Sequence, residues 1–566
     1  MELSMRELKR LFGWAHRFGF FAWAAAILVW YLIVSTLRNG ISCDEGYYLL
    51  GYLRNQSIQG IGTDFHAIVR ALSRSFPDDD IMVFRYLRVI LNVIAVVLFA
   101  SSSYEWLSRK KNLKISRWAY YPMAILAGAM SFTFATPTIS YDSLELIIAL
   151  FAASFLFILF ASGRKAVRTI GAFGVGFLLW FACTNYPPAG VCLSILFLAA
   201  YLLEVEEKKW AHLLAALCGG LTAIVISHFF IHDMKVWFSE ISRVFVSTFT
   251  EESMSNHDAG SLVSVMLMTV AKALLVLIPT VVVFTLMYKK INVSEKILWI
   301  VMLLTCAALL VVRQIYGLRG ILFLIPVALV LAKVFAQPGF SMKGFLLSKD
   351  AFLILILLAI PFAGVFGTNQ PILNKAIIFV PFWLLAYCCL STLLKNETNE
   401  RLNLLFIVLL LAGYVWLGNF QRYHYYYTPR SSNYAIVGTF RPQKVLVSQY
   451  QQEYYRDLLD TLKASGCKPG DKYMAFGENQ MAVYLAGGYI DGRLPYHWWQ
   501  YKYFEKEDPI AFVFFKNEEE GVIGHFQDAG WGFPEEYARI EMRQMSQNMG
   551  EELRTVIYIK NHSLNR

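Results

Sequence analysis

The chain has 566 residues, of which 57% are hydrophobic and only 16% charged, with a mean hydropathy of +0.46. A soluble globular chain is about one quarter charged, so the composition excludes that class and predicts a polytopic α-helical membrane protein. The net charge of +10 calls for no nucleic acid, because the short loops of a membrane protein carry Lys and Arg to fix orientation.

The N-terminal segment holds Arg6, Lys9, Arg10 and Arg17 and lacks a cleavable signal pattern. Residues 18–37 read as a retained first span. Counting this one, the chain has about thirteen apolar stretches of near-spanning length. They centre near residues 28, 91, 127, 152, 176, 195, 221, 275, 304, 328, 359, 385 and 411. The fifth and sixth meet at Thr184-Asn185-Tyr186-Pro187-Pro188. With the basic N-terminus in the cytoplasm, the loops at Arg109-Lys110-Lys111, Arg164-Lys165, Lys208-Lys209, Lys289-Lys290 and Lys333 to Lys349 face the same side. An odd number of spans then puts the first loop (38–80) and the C-terminal segment (420–566) on the extracytoplasmic side, with 1–419 as the membrane domain.

In the first loop, Phe65, Ile68, Val69, Leu72 and Phe76 fall at helical spacing, with Arg70 and Arg74 opposite. This predicts an amphipathic helix in the membrane interface. The C-terminal segment reads as a small α/β domain. It has a helix over 443–465 stopped by Gly466, and strands at Lys472 to Phe476, Ala511 to Phe515 and Thr555 to Ile559. Tyr423 to Tyr427 suits an aromatic belt, and Tyr496-His497-Trp498-Trp499 suits core packing or a sugar-stacking surface. The eight cysteines show no CxxC or CxxH spacing, which disfavours a zinc site or a disulfide framework. Cys43 and Cys467 fall outside the spans and leave a bridge between them open.

Asp44-Glu45 sits where the first span leaves the membrane, in Ile41-Ser42-Cys43-Asp44-Glu45-Gly46-Tyr47-Tyr48. Carboxylates at a membrane boundary are costly and are usually used. Neighbouring acids drive one pKa up, which suits a base that takes a proton from a hydroxyl. Asp142, in Ser140-Tyr141-Asp142-Ser143 after the third span, lies at the same face; it also suits a helix cap. Asp64-Phe65-His66 adds a carboxylate and an imidazole there. Asp64 with Asp44 offers oxygens to a hard divalent cation, and His66 a hydrogen bond to phosphate. Arg85, Arg88, Arg313 and Arg319 lie on the side that the positive-inside rule disfavours. Guanidinium binds phosphate bidentately, which supplies a reason; snorkelling to headgroups is the plainer one. No Walker A loop, HExxH or GxSxG occurs. An extracytoplasmic site has no nucleotide donor, so an activated donor must arrive in the bilayer.

With these features the chain resembles the GT-C superfamily of lipid-dependent glycosyltransferases, in particular the protein O-mannosyltransferases and the lipid A aminoarabinose transferases. The resemblance rests on Asp44-Glu45 after the first span, the first-loop helix, Arg85, Asp142, and many spans followed by a soluble domain. It is strongest over residues 20–165. The chain has Tyr47-Tyr48 where the aminoarabinose type carries an Arg. The resemblance implies a bacterial inner (plasma) membrane enzyme with Asp44 as acceptor-activating base and Asp142 as a second site carboxylate. It further implies a polyprenyl-phosphate-linked sugar as donor and an extracytoplasmic hydroxyl acceptor. No cofactor is required beyond the optional cation at Asp64. The competing expectations are a transporter or flippase of lipid-linked sugar, whose charges belong near the bilayer midplane, and a glycan-binding scaffold.

Overall fold

The protein is described here by a computed structural model. It describes residues 5–41, 44–54, 63–133, 136–205, 209–231, 233–235, 237–239, 241–242, 259–290, 319–367, 372–394, 400–425, 434–437, 442–447, 449–476, 479–490, 509–528, 530–531, 533–548 and 551–561.

The first helix, α1 (Met5–Ser35), is followed by two short ones, α2 (Glu45–Tyr52) and α3 (Phe65–Leu72). A helical array follows: α4 (Ile81–Lys110), α5 (Arg117–Ala129), α6 (Tyr141–Ala161), α7 (Lys165–Asn185), α8 (Pro187–Glu204), α9 (Lys209–Phe230) and α10 (Ala259–Lys290). Beyond it come α11 (Ile325–Phe335), α12 (Met342–Leu346), α13 (Lys349–Ala363), α14 (Ile372–Lys375), α15 (Val380–Thr392) and α16 (Glu400–Tyr425). The helix ends follow local chemistry. The Asp80 side chain accepts from the Met82 N–H at 2.8 Å to start α4, and Arg109 and Lys110 sit at its negative C-terminal end. Pro187 opens α8, where its missing N–H is harmless.

Among the described residues, seven helices are long and apolar enough to cross a membrane: α4, α6, α7, α8, α9, Val263–Lys289 of α10 and the run Ile372–Thr392. Shorter apolar helical runs cover Gly19–Ser35, Gly320–Phe335 and Leu402–Val415. The predicted centres at 127 and 359 fall in α5 and α13, which are shorter than a span, and the one near 304 lies outside the described residues. The helices α6 and α15 are buried on nearly all sides, as helices apolar all round should be. By contrast α9 and α10 turn Leu214, Leu221, Leu267 and Leu275 outward. Exposed apolar surface of that extent fits contact with lipid.

The C-terminal part is a small α/β unit. A hairpin of β1 (Tyr434–Val437) and β2 (Pro442–Val447) leads into α17 (Gln449–Ala464). A four-stranded sheet has the order β3 (Tyr473–Ala475), β4 (Ala511–Phe515), β6 (Glu551–Lys560), β5 (Tyr537–Asn548). β3 and β4 are parallel and the other pairs antiparallel. α18 (Gln480–Leu485) and α19 (Glu519–Asp528) flank it. The predicted helix at 443 begins later, because residues 442–447 form β2. Val445 and Val447 point inward and Leu446 outward there, the period of a strand. Gly466 ends α17 as expected, with φ of +83°. Residues 426–427 and the Tyr496–Trp499 run lie outside the described residues. So does Cys43, while Cys467 is a buried free thiol.

The C-terminal unit does not stand apart. Its core residues Val445, Leu458, Met481 and Tyr484 share one hydrophobic cluster with Tyr48, Tyr52, Phe65, Val69 and Phe84. The buried face of α3 (Phe65, Ile68, Val69) therefore packs on protein. Only Leu72 and Phe76 of the predicted interfacial stripe are exposed.

Helices α7 and α9 pack at close range. A side chain on Gly219 would collide with the Phe173 carbonyl oxygen. Close backbone approach at small residues is how apolar helices associate without a hydrophobic driving force between them. Gly219→Val is expected to destabilise the protein by about 1–3 kcal/mol, the usual result of overpacking. Thermal unfolding in detergent checks this, and an unchanged midpoint would contradict the packing.

Candidate active site at the Asp44–Glu45 turn

Asp44 stands at the N-cap position of α2, yet its side chain makes no capping hydrogen bond. Glu45 turns the other way and is fully buried. Its Oε1 accepts from Arg85 Nε at 2.8 Å and its Oε2 from Arg85 Nη2 at 2.6 Å. Arg85, on the first turns of α4, also donates to the Gly40 carbonyl at 2.7 Å and to the Leu37 carbonyl. One guanidinium therefore ties the exit of α1, the start of α2 and the start of α4.

Arg88 is equally buried. It donates to the Ser131 carbonyl at 2.8 Å and to the Thr136 carbonyl, and its guanidinium lies 4.2 Å from the Phe132 ring centroid. The sequence suggested both arginines as phosphate ligands. The structure places both forks inside the protein on carbonyls and Glu45. A fork so engaged is committed to positioning the segments around it.

Asp142 lies in the first turn of α6. The cap of that helix is Ser140, whose Oγ accepts from the Ser143 N–H in a reciprocal capping box. Asp142 is thereby released from the capping role its sequence suggested. It pairs with Lys375 at 2.8 Å, and the lysine side chain is 2% exposed. Lys375 Nζ also donates to the Tyr141 hydroxyl at 3.2 Å and lies 4.9 Å from the Tyr141 ring centroid. Sequence reasoning missed Lys375. The signal was a lone cation in the apolar run Ile372–Phe379, more than two hundred positions from its partner.

Asp44 and Asp142 act on one volume. Burial, the Tyr141 phenol and then the carboxylates of Asp44 and Asp142 together hold the Tyr48 phenol well above the usual tyrosine range. The Tyr48 and Tyr141 ring centroids are 6.5 Å apart. One turn beyond Asp142, buried Glu145 accepts from Asn185 Nδ2 at 2.7 Å. The same nitrogen donates to the Tyr141 carbonyl at 2.9 Å. The Thr184–Tyr186 corner between α7 and α8 therefore closes the third side of the site.

The first loop closes the fourth. The Asp64 N–H donates to the Thr184 carbonyl at 2.8 Å. Burial pushes the Asp64 carboxyl up to about 8. It is protonated at neutral pH. Among the described residues no group of three His, Cys, Asp or Glu side chains gathers as a metal site. His66 is buried between Tyr47 and Tyr52, with ring centroids 5.1 and 5.7 Å away. Burial, with a smaller push from Arg70, holds its imidazole well below the usual histidine range. It is neutral at physiological pH, so it offers phosphate at most a single hydrogen bond.

Arg313 lies outside the described residues. Arg319 opens a 3₁₀ turn, Arg319–Leu324, that packs against α14. The backbone thus brings Arg319 beside the turn that carries Lys375.

Two outcomes follow from this geometry. Breaking a buried ion pair strands a charge and costs about 3–5 kcal/mol. Lys375→Met is expected to destabilise the protein by that amount, and adding Asp142→Leu to restore most of it. A double variant no more stable than Lys375→Met would dissociate the two groups. For Asp64, the folded-state value of about 8 exceeds the ordinary 3.8. The folded state then holds a proton that the unfolded chain releases, so stability falls as pH rises from about 4 to about 8. Asp64→Asn is expected to remove that slope in denaturation curves, matching wild type near pH 4 and exceeding it near pH 9; equal stabilities throughout would contradict it. No family model matches the chain, and no curated protein matches it either.

Proposed function

We propose that the chain is an integral membrane glycosyltransferase of GT-C type, with about thirteen spans, that moves a sugar from a polyprenyl-phosphate donor to a hydroxyl of an extracytoplasmic acceptor. In this reading the N-terminus is cytoplasmic, and the face that bears α2, α3 and the C-terminal unit is external, in the inner (plasma) membrane. The observation that carries the reading is the meeting of Asp44 and Asp142 around Tyr48 and Tyr141, with a buried lysine paired to one of them. Two carboxylates of unequal surroundings suit a base and an orienting partner. Asp142 is paired with Lys375, which suits it as the orienting partner and gives the base role to Asp44 in this reading.

The step is a single displacement. The acceptor oxygen bonds to the anomeric carbon while the bond from that carbon to the phosphate oxygen breaks. The acceptor proton passes to Asp44 and the electron pair leaves on polyprenyl phosphate. Attack opposite the leaving group inverts the anomeric centre. The leaving group is already a phosphate anion, so no general acid is needed. Cations near its oxygens stabilise the growing charge. Lys375 and the neighbouring Arg319, with Arg313, are the candidates for that task. Arg85 and Arg88 support the frame instead. The carboxylates of Asp44 and Asp142 stand at helix starts, whereas a transporter places its charges on broken helices near the midplane.

A positioned base contributes roughly 10²–10⁴-fold to such a step. Asp44→Asn is expected to lose turnover within that range, measured with a radiolabelled polyprenyl-phosphate sugar in nanodiscs, while its unfolding midpoint stays at the wild-type value. Near wild-type transfer by this variant would remove Asp44 from the base role.

A further inference from the structure

The C-terminal unit holds three segments around the Asp44–Glu45 turn: the exit of α1, the start of α4 and α2. At the exit of α1, the Gly40 N–H donates to the Leu446 carbonyl at 2.6 Å, and the Leu446 N–H to the Arg38 carbonyl at 2.7 Å. Strand β2 thus extends onto residues 38–40, and Gly40 in turn passes its carbonyl to Arg85. At the start of α4, the side chain of Gln443 is buried. Its Oε1 accepts from the Ile81 N–H at 2.9 Å and its Nε2 donates to the Asp79 carbonyl at 2.6 Å. On α2, Gly46 sits against the backbone of Gln480 and Met481, so closely that any side chain at position 46 would collide with it. Gly46 is two residues from Asp44. Two of these contacts are backbone to backbone, one is made by the Gln443 side chain, and they fall on three different segments.

We propose that the C-terminal unit is a built-in part of the candidate catalytic centre, in which Gln443 and the Gly46–Met481 seam hold the Asp44–Glu45 turn in register with Asp142. This rests on the glycosyltransferase reading and adds a task for the unit that differs from capturing a glycan. Gln443 is a positioning residue: it fixes the first turn of α4, hence Arg85, hence Glu45 and the turn beside it. The seam fixes α2 from the opposite side. A misplacement of about 1 Å can cost a hundredfold in rate, so a two-sided clamp on a base has a clear use.

The test uses the full chain in lipid nanodiscs, with Gln443→Ala, Gln443→Glu and Gly46→Ala. Amide exchange over residues 45–52 is compared with that over α15, and transfer from a polyprenyl-phosphate sugar is resolved into kcat and KM. Gln443→Ala and Gly46→Ala are expected to speed exchange over 45–52 by roughly tenfold or more, leave α15 unchanged, and lower kcat by roughly 10–100-fold with donor KM within about twofold. Gln443→Glu keeps the acceptor for the Ile81 N–H but sets a second acceptor oxygen against the Asp79 carbonyl, so it is expected to speed exchange and lower kcat as Gln443→Ala does. Unchanged exchange over 45–52 in both Gln443→Ala and Gly46→Ala would overturn the proposal, as would a rise in KM at constant kcat. If the wild-type chain transfers no sugar from such donors, the transfer reading falls, and the exchange data still decide whether the unit clamps the turn.

Discussion

Glu45 and Arg85 are both fully removed from solvent, and each satisfies the other through two hydrogen bonds of 2.6–2.8 Å. Such a pair adds little net stability over an apolar replacement, but losing one partner strands the other at a cost of about 3–5 kcal/mol. The pair therefore acts as a geometric constraint. Because Arg85 also holds the carbonyls of Leu37 and Gly40, the end of α1, the start of α2 and the start of α4 have one mutual arrangement. Asp44, immediately before Glu45, inherits its place from that arrangement. The adjacent acids thus differ in surroundings: Glu45 is buried in the frame, and the Asp44 carboxylate acts on the Tyr48 phenol.

A second charge pair completes the centre from the far end of the sequence. Lys375 arrives on the turn before α15, one of the most buried helices of the array, and meets Asp142 at the first turn of α6. These two central helices thus carry the fixed side of the site. The side built from α2, α3 and the Thr184–Tyr186 corner is assembled from shorter pieces, and the C-terminal unit shares one hydrophobic cluster with α2 and α3.

The legible parts of this molecule are those written in local pattern. Apolar runs announced the long helices, and the placement of charges beside them announced Asp44, Glu45 and Asp142. The amphipathic spacing of Phe65, Ile68 and Val69 announced α3, although its buried face meets protein. Partners were not legible. Nothing near Glu45 says that its mate lies forty positions on at Arg85, or that Lys375 closes on Asp142. The same limit applies to the docking of Gln443 on Ile81 and of Gly46 on Met481, since both depend on the fold bringing distant segments together. Local competition explains the displaced start of α17: Val445 and Val447 favour a strand, and a helical period reads through them only if the inward–outward alternation is ignored. The long β5–β6 hairpin was half seen because its polar outer face, with Arg539, Glu541 and Arg554 in one ion network, masks the strand alternation.

The most direct test of the account is the stereochemistry of the product. The purified full chain in nanodiscs would be given a polyprenyl-phosphate sugar of defined anomeric configuration and a hydroxyl acceptor, and the new glycosidic linkage read by proton NMR. A single displacement with Asp44 as base predicts a linkage of inverted configuration. A retained configuration, or donor crossing the bilayer with no linkage formed, would contradict it.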